Sequence, residues 1–153
     1  MKPFHLETVL KYRRRLKDVA RNSFQHAQNQ RNKAHEAFVE KENEYRNLIE
    51  TMTELQHHGV TVEELIRYQN RIDYVSAELL KRQETLKKKT ETVVRERKHL
   101  IARNKDERVL EKLKEKQNLE YQQFIDKKES AMLDEIAVLH RNQQESAEQR
   151  EFQ

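Results

Sequence analysis

The chain has 153 residues but only one glycine, Gly59, and one proline, Pro3. Both residue types interrupt helices, because glycine loses the most backbone entropy on folding and proline lacks the amide hydrogen that a helix interior needs. The rest of the chain is rich in Glu, Lys, Gln, Arg, Leu and Ala, which lose little side-chain freedom in a helix. The sequence therefore predicts two long helices, one on each side of Gly59.

The composition argues against a compact globule. Charged residues make up 38% of the chain and hydrophobic residues 35%, and the mean hydropathy is -1.17. A single core of ordinary size needs more apolar surface than this. We therefore expect long, half-exposed helices in one all-α domain.

Apolar residues recur at alternating steps of three and four, the spacing of a coiled-coil seam. Before the glycine, the predicted seam is Val9, Tyr12, Leu16, Val19, Ser23, Ala27, Gln30, Ala34, Ala37, Lys41, Tyr45, Leu48, Met52 and Leu55. After it, the predicted seam is Leu65, Tyr68, Ile72, Val75, Leu79, Arg82, Leu86, Thr90, Val93, Arg97, Leu100, Asn104, Glu107 and Leu110. Both stripes predict helices that pack through one face.

The bend between the helices has its own signals. Gly59 can adopt the left-handed conformation that ends a helix, and Thr61 and Glu64 form a T-x-x-E capping box for the next one. So short a connection makes the helices antiparallel neighbours. We predict a single elongated coiled-coil hairpin with a first helix at about 3–56, a bend at 57–61, a second helix at about 62–141 and a polar, disordered tail at 142–153.

The second helix is predicted to be longer than the first. Antiparallel partners across a bend near residue 60 have numbers that add up to about 120, so the first helix ends opposite residues 115–117. The overhang beyond that point carries Leu119, Tyr121, Phe124, Ile125, Met132, Leu133, Ile136 and Leu139. A lone helix with such a stripe is marginal in water. Three explanations stay open: a dedicated partner protein, a weak homodimer, or a frayed tail.

Several functions are disfavoured. The sequence has no glycine-rich phosphate loop and no nucleophile elbow, so we expect no enzyme and no cofactor. No Cys is present and no two His lie four residues apart, which argues against a metal site. Basic and acidic residues are interspersed, which argues against nucleic acid. No apolar run is long enough for membrane insertion or a signal peptide.

Short motifs near both ends resemble one protein family. The stretch FHLETVLKYRRRLKD at 4–18 is similar to the opening of the FliJ family, and LEKLKEKQNLEY at 110–121 and LDEIA at 133–137 are similar to its C-terminal pattern. NEYR at 43–46 and YQ at 68–69 also fit. The resemblance implies an antiparallel coiled coil of the bacterial flagellar type III export apparatus, similar to the central stalk of rotary ATPases.

The same resemblance implies partners. In the family, the paired termini sit in the hole of a hexameric export ATPase ring and promote its assembly. The middle contacts the cytoplasmic domain of the membrane export gate, and export chaperones bind as well. This would place the chain in the cytoplasm, peripherally associated with the inner membrane. The alternatives are the equivalent stalk of a virulence type III secretion system and a generic coiled-coil tether.

The resemblance also suggests site residues. Those expected to face the ATPase ring are Tyr121, Phe124, Met132, Ile136, Leu139, Arg13 and Arg14. Those expected at the export gate are Phe38, Tyr45, Arg71 and Val75, of which we expect Phe38 to be exposed. Two simpler roles remain open. Tyr45 and Val75 can be seam residues. Acidic residues across the hairpin, Asp106, Glu107 and Glu111, can pair with the basic run Lys11, Arg13, Arg14, Arg15 and Lys17.

Overall fold

The chain forms an antiparallel hairpin of two long helices, as the sequence predicts. A computed structural model describes residues 3–151, and their side chains as far as residue 147. Helix α1 is Glu7–His58, with 52 residues, and helix α2 is Val62–Glu151, with 90 residues. No strand occurs within the described residues.

The hairpin divides into two compact units. The bend unit comprises Arg14–Lys105, and the terminal unit comprises Met1–Arg13 with Asp106–Gln153. Each unit contains a part of both helices. The predicted export-gate residues and the bend fall in the bend unit, whereas the predicted ring-binding residues other than Arg14 fall in the terminal unit.

The bend is built from the residues that the sequence singles out. Gly59 has a φ of +87°, so it is the left-handed residue that ends α1. Thr61 then caps α2, because its hydroxyl oxygen accepts a hydrogen bond of 3.3 Å from the Glu64 amide and its carbonyl accepts one of 3.0 Å from the Leu65 amide. Since His57 and His58 are still helical, the connection is shorter than the predicted 57–61.

The first helix begins later than predicted, at Glu7 instead of about residue 3. The reason is Phe4, whose side chain is buried. The chain turns there, and the Glu7 amide donates a 3.0 Å hydrogen bond to the Phe4 carbonyl. Burial of the Phe4 ring at the start of α1 stabilises the fold more than another turn of exposed helix would.

The second helix ends later than predicted. It continues to Glu151, whereas the sequence analysis placed its end at about 141 and a disordered tail at 142–153. Glu, Gln, Ala and Arg in this stretch have good helix propensity, and nothing between 142 and 151 breaks the backbone ladder. The last two residues of the predicted tail lie outside the described residues.

Side-chain burial shows an unbroken heptad repeat on each helix. On α1 and the turn that precedes it, the non-exposed positions at alternating steps of four and three are Leu6, Leu10, Arg13, Lys17, Ala20, Phe24, Ala27, Arg31, Ala34, Phe38, Lys41, Tyr45, Leu48, Met52 and Leu55. On α2 they are Leu65, Tyr68, Ile72, Val75, Leu79, Arg82, Leu86, Lys89, Val93, Glu96, Leu100, Arg103, Glu107, Leu110, Lys114, Gln117 and Tyr121. A strict seven-residue repeat is the pattern of a left-handed coiled-coil seam.

The predicted seam of α1 is therefore wrong near its N-terminal end. Leu10 and Ala20 are buried there, whereas Tyr12 and Val19 are 57% and 63% exposed. The prediction agrees with the observed repeat from Lys41 onward, and on α2 it misses by one residue at Thr90, Arg97 and Asn104. The observed seam contains Arg13 and Lys17, which a search for apolar residues alone does not find.

Contacts between the helices confirm the antiparallel pairing. In the bend unit, Arg71 donates a hydrogen bond to the Glu44 carboxylate. In the terminal unit, Lys114 Nζ lies 2.8 Å from a carboxylate oxygen of Glu7. The two residue numbers of each pair add up to about 120, as predicted for a bend at Gly59.

Candidate functional site

The overhang of α2 is the most exposed apolar surface of the terminal unit. Its start is marked by Gln117, whose side-chain amide donates a 3.3 Å hydrogen bond to the Pro3 carbonyl. Beyond Ile125, every side chain that the structure describes is exposed. The exposed large apolar residues of the overhang are Leu119, Phe124, Met132, Leu133, Ile136, Val138 and Leu139. The predicted overhang is therefore present.

The five apolar residues expected to bind the ATPase ring all lie on this overhang. Phe124, Met132, Ile136 and Leu139 are exposed, and Tyr121 is partly buried because it occupies the last seam position. Lys128 Nζ lies 4.9 Å from the ring centroid of Phe124, which gives the exposed ring a cationic neighbour. These groups are accessible to a partner without any change in the hairpin.

The two basic residues expected at the ring lie differently. Arg13 is on the seam and forms a 3.3 Å ion pair with Asp106. Arg14 is exposed. The contact of Arg13 supports the simpler role, a charged pair that closes the hairpin, whereas Arg14 remains on the surface where a partner can reach it.

The four residues expected at the export gate do not form one exposed patch. Val75 is wholly buried, so it can contact a partner only if the hairpin opens. Tyr45 is partly buried on the seam. Phe38, which we expected to be exposed, is also partly buried, because the heptad repeat places it at a seam position. Arg71 is the exposed member of the set.

Arg71 is held in place by two neighbours in the bend unit. It donates to the Glu44 carboxylate, and its guanidinium carbon lies 5.8 Å from the ring centroid of Tyr74. Glu44 also accepts a 2.8 Å hydrogen bond from Lys41 Nζ. Hydrogen bonding from Lys41 chiefly, and from Arg71 as well, lowers the pKa of the Glu44 carboxyl. Tyr74 and Arg71 thus form a small exposed surface beside the seam.

A cleft in the bend unit was not predicted. It has a volume of about 470 Å³. Its lining residues are Asn22, Ser23, His26, Ala27, Gln30, Lys89, Thr92 and Glu96. The cleft follows from the small Ala27 and the polar Lys89 and Glu96 on the seam, where large apolar residues would fill the space. A strict heptad count on both helices places Ala27, Lys89 and Glu96 on the seam.

Two negative findings apply to the described part of the chain. Residues 3–151 contain no cluster of three or more His, Asp or Glu side chains arranged to hold a metal ion. Neither helix, over the same residues, has a stretch that is both long and apolar enough to cross a membrane.

Comparison with known proteins assigns the family. The family model described as "Flagellar FliJ protein" matches residues 1–150. The chain belongs to the FliJ family. No curated protein matches it. A solved structure from Chlamydia trachomatis, described as that of a proposed YscO homologue, is 22% identical, with a TM-score of 0.49, and the match covers 95% of this chain and 99% of that one.

Membership of the FliJ family identifies the chain as a type III export stalk protein. The family is a non-catalytic stalk family whose members associate with the export ATPase and the export apparatus. The apolar overhang, the charged closure around Arg13 and the surface around Arg71 are therefore surfaces of a stalk protein.

Proposed function

We propose that this FliJ-family chain is the central stalk of a flagellar type III export apparatus, acting without catalysis of its own. In this proposal, the terminal unit inserts in the hexameric ring of the export ATPase, and it promotes ring assembly and ATP hydrolysis. The observation that carries the proposal is the overhang, whose large side chains are exposed with no counterpart in the described part of the chain; Leu139, for example, is 61% exposed.

The physical reason is the free energy of the exposed face. Burying one large apolar side chain contributes roughly 1.5 to 3 kcal/mol. A partner that covers Met132, Ile136 and Leu139 together therefore gains several such contributions to the binding free energy. None of them is gained while these side chains stay exposed to water. Because the overhang is a single helix, a ring can surround it from all sides. Arg14, exposed on α1, can add a charged contact to the ring wall.

The bend unit is the proposed contact for the rest of the apparatus. Arg71 and Tyr74 present an exposed surface, and we assign the contact with the cytoplasmic domain of the export gate to this surface together with the accessible edges of Phe38 and Tyr45. Val75 is wholly buried, so it is not part of that exposed surface. Export chaperones are further proposed partners. The protein then works in the cytoplasm, peripherally associated with the inner membrane.

The equivalent stalk of a virulence secretion system is the alternative, and a generic tether is a more distant one. The family description names a flagellar protein, which supports the flagellar assignment. Expression in a cell that lacks its flagellar stalk decides between the two systems. Restored motility supports the flagellar role, and restored secretion only in a virulence mutant supports the alternative.

The direct test adds the protein to the export ATPase of its own organism and measures both oligomerisation and hydrolysis. We expect the protein to increase both. Leu139→Asp should abolish the increase, whereas Leu80→Asp should preserve it, because Leu80 is equally exposed, at 64%, but lies in the bend unit. An unchanged ATPase with the wild-type protein would leave the tether as the better description.

A further inference from the structure

The overhang carries a second apolar stripe that is rotated away from the hairpin seam. Continued along α2, the seam repeat passes through Tyr121, Phe124, Lys128, Ala131, Glu135 and Val138. The larger aliphatic residues Ile125, Met132, Ile136 and Leu139 follow at steps of seven, four and three, which also keeps them on one helix face. This face is one residue, or about 100°, away from the seam. A partner that binds this face therefore approaches α2 from a different direction than α1 does.

The stripe is self-complementary when two copies run antiparallel. If Ile125 of one copy lies opposite Ile136 of the other, then the same register places Gln122 opposite Leu139 and Glu129 opposite Met132. Each layer then contains at least one large apolar side chain. Gln122 and Glu129 make the pairing weaker than that of a fully apolar seam.

The charges beside the stripe favour the same arrangement. Lys128 and Glu135 are the residues that flank the stripe on one edge, and in the antiparallel register Lys128 of each copy lies next to Glu135 of the other. The pairing therefore forms two opposite-charge contacts by symmetry. In a parallel arrangement, residue 128 of one copy flanks residue 133 of the other, so Lys128 lies next to Leu133 and this opposite-charge contact is lost.

We propose that the free protein forms a two-fold symmetric dimer through antiparallel pairing of residues 122–139 with the same segment of a second copy. An interface of this kind is closed, because one patch serves both partners. It covers Met132, Ile136 and Leu139, which no contact within the described chain covers. The proposal concerns the protein alone and does not require the export ATPase. If the ATPase ring binds the same face, then ring binding and self-association exclude each other.

Sedimentation velocity over a wide range of protein concentration tests the association. We expect a monomer at low concentration and a dimer at high concentration. Ile136→Glu should remove the dimer, whereas Val138→Glu, an equally polar change at an exposed residue outside the stripe, should preserve it. Lys128→Glu should weaken the dimer, and Lys128→Glu combined with Glu135→Lys should restore it. A monomer at every concentration, or a dimer that Ile136→Glu leaves intact, would overturn the proposal.

Distances between spin labels test the direction of pairing. Because the chain has no Cys, a label can be attached at a single introduced cysteine. In the antiparallel register, labels at Met132→Cys lie roughly 10 Å apart and labels at Leu139→Cys about 25 Å apart, at 1.5 Å per residue along the helix. A parallel dimer gives a short distance at both sites and would contradict the proposal. Far-ultraviolet circular dichroism confirms that each variant keeps its helices.

Discussion

The guanidinium group of Arg13 lies 3.3 Å from the carboxylate of Asp106, although 93 residues separate them in the chain. This ion pair, with the one between Glu7 and Lys114, joins α1 to α2 in the terminal unit. Next to it, Glu107 occupies a seam position and is only 3% exposed. The paired termini are therefore held together by charged contacts as well as by Leu10.

The Arg13 pair is expected to contribute little to folding. The two side chains are 36% and 44% exposed, so that water and salt screen their attraction. Arg13→Ala should lower the free energy of unfolding by less than about 1 kcal/mol. Urea unfolding followed by circular dichroism measures this change, and added salt should reduce the difference from wild type.

The same variant separates a structural role from ring binding. If Arg13 only closes the hairpin, Arg13→Ala should leave stimulation of the export ATPase almost unchanged. Arg14→Ala, at the neighbouring exposed position, is the matched comparison. A large loss of stimulation with Arg13→Ala at unchanged stability would show that Arg13 contacts the ring after all.

Gly59 is expected to resist replacement for backbone reasons alone. Its φ of +87° is unfavourable for a residue with a Cβ, yet a Cβ added there would meet no atom within 4 Å. Gly59→Ala should therefore cost about 1 to 2 kcal/mol, and Gly59→Asn should cost less because Asn tolerates the left-handed region. Thermal unfolding measures both. Equal stability of the Ala variant and the wild type would show that the bend does not require the left-handed conformation of Gly59.

Substitutions of Arg71 and of Val75 should separate effects on binding from effects on folding in the bend unit. Val75→Ala removes part of a wholly buried side chain and should lower stability by about 2 kcal/mol. Arg71→Ala should change stability much less, because its ion pair with Glu44 is exposed. For affinity to the cytoplasmic domain of the export gate, corrected for any loss of folded protein, we expect the reverse. Arg71→Ala should lower this affinity more than Val75→Ala does. Unchanged gate affinity with Arg71→Ala would remove Arg71 from the proposed contact.

Glu44 should make a small, acid-sensitive contribution to the stability of the bend unit. Hydrogen bonds from Lys41 and then Arg71 lower the pKa of Glu44 in the folded state. A carboxyl with a lowered pKa contributes stability above its unfolded pKa, which lies near 4.5, and loses that contribution as the pH falls through the folded value. Glu44→Gln should therefore be less stable than wild type at neutral pH, and the difference should vanish in acid. Urea titrations at several pH values measure it; a difference that persists in acid would contradict this origin.

The sequence predicted the bend and the overhang because their signals are local. A left-handed residue such as Gly59 and a capping residue such as Thr61 mark where one helix ends and the next starts. Met132 is exposed because antiparallel pairing about this bend leaves no described α1 residue opposite it. Burial on α1 was harder to predict, because α1 carries two stripes. The larger residues Tyr12 and Val19 lie on the outer stripe, and the buried one contains small Ala20.

The candidate site was predictable only in part, for the same reason. Phe38 looks like a surface aromatic residue when the seam passes through Ala37, but a strict repeat counted back from Leu55 places Phe38 on the seam. Long-range charge contacts such as that of Arg71 with Glu44 depend on register and rotamer. The register between the two helices and the side-chain rotamers cannot be derived from residue spacing along one helix.

The middle of the hairpin is expected to be its least stable helical part. Around residues 20–32 and 87–99, the seam contains the small Ala20 and Ala27 and the charged Lys89, and a cleft of about 470 Å³ opens beside Ala27 and Lys89. Few large apolar side chains are buried there, so local opening costs less free energy than near Ile72.

Amide hydrogen exchange, read by mass spectrometry or nuclear magnetic resonance, tests this expectation. Exchange should be fastest, among interior helical residues, within 20–32 and 87–99. Lys89→Leu should slow it there, because a leucine at this seam position adds buried apolar surface beside the cleft. Lys87→Leu changes an exposed neighbour and should have no such effect. Equal protection along both helices would mean that the polar seam packs as firmly as the apolar one.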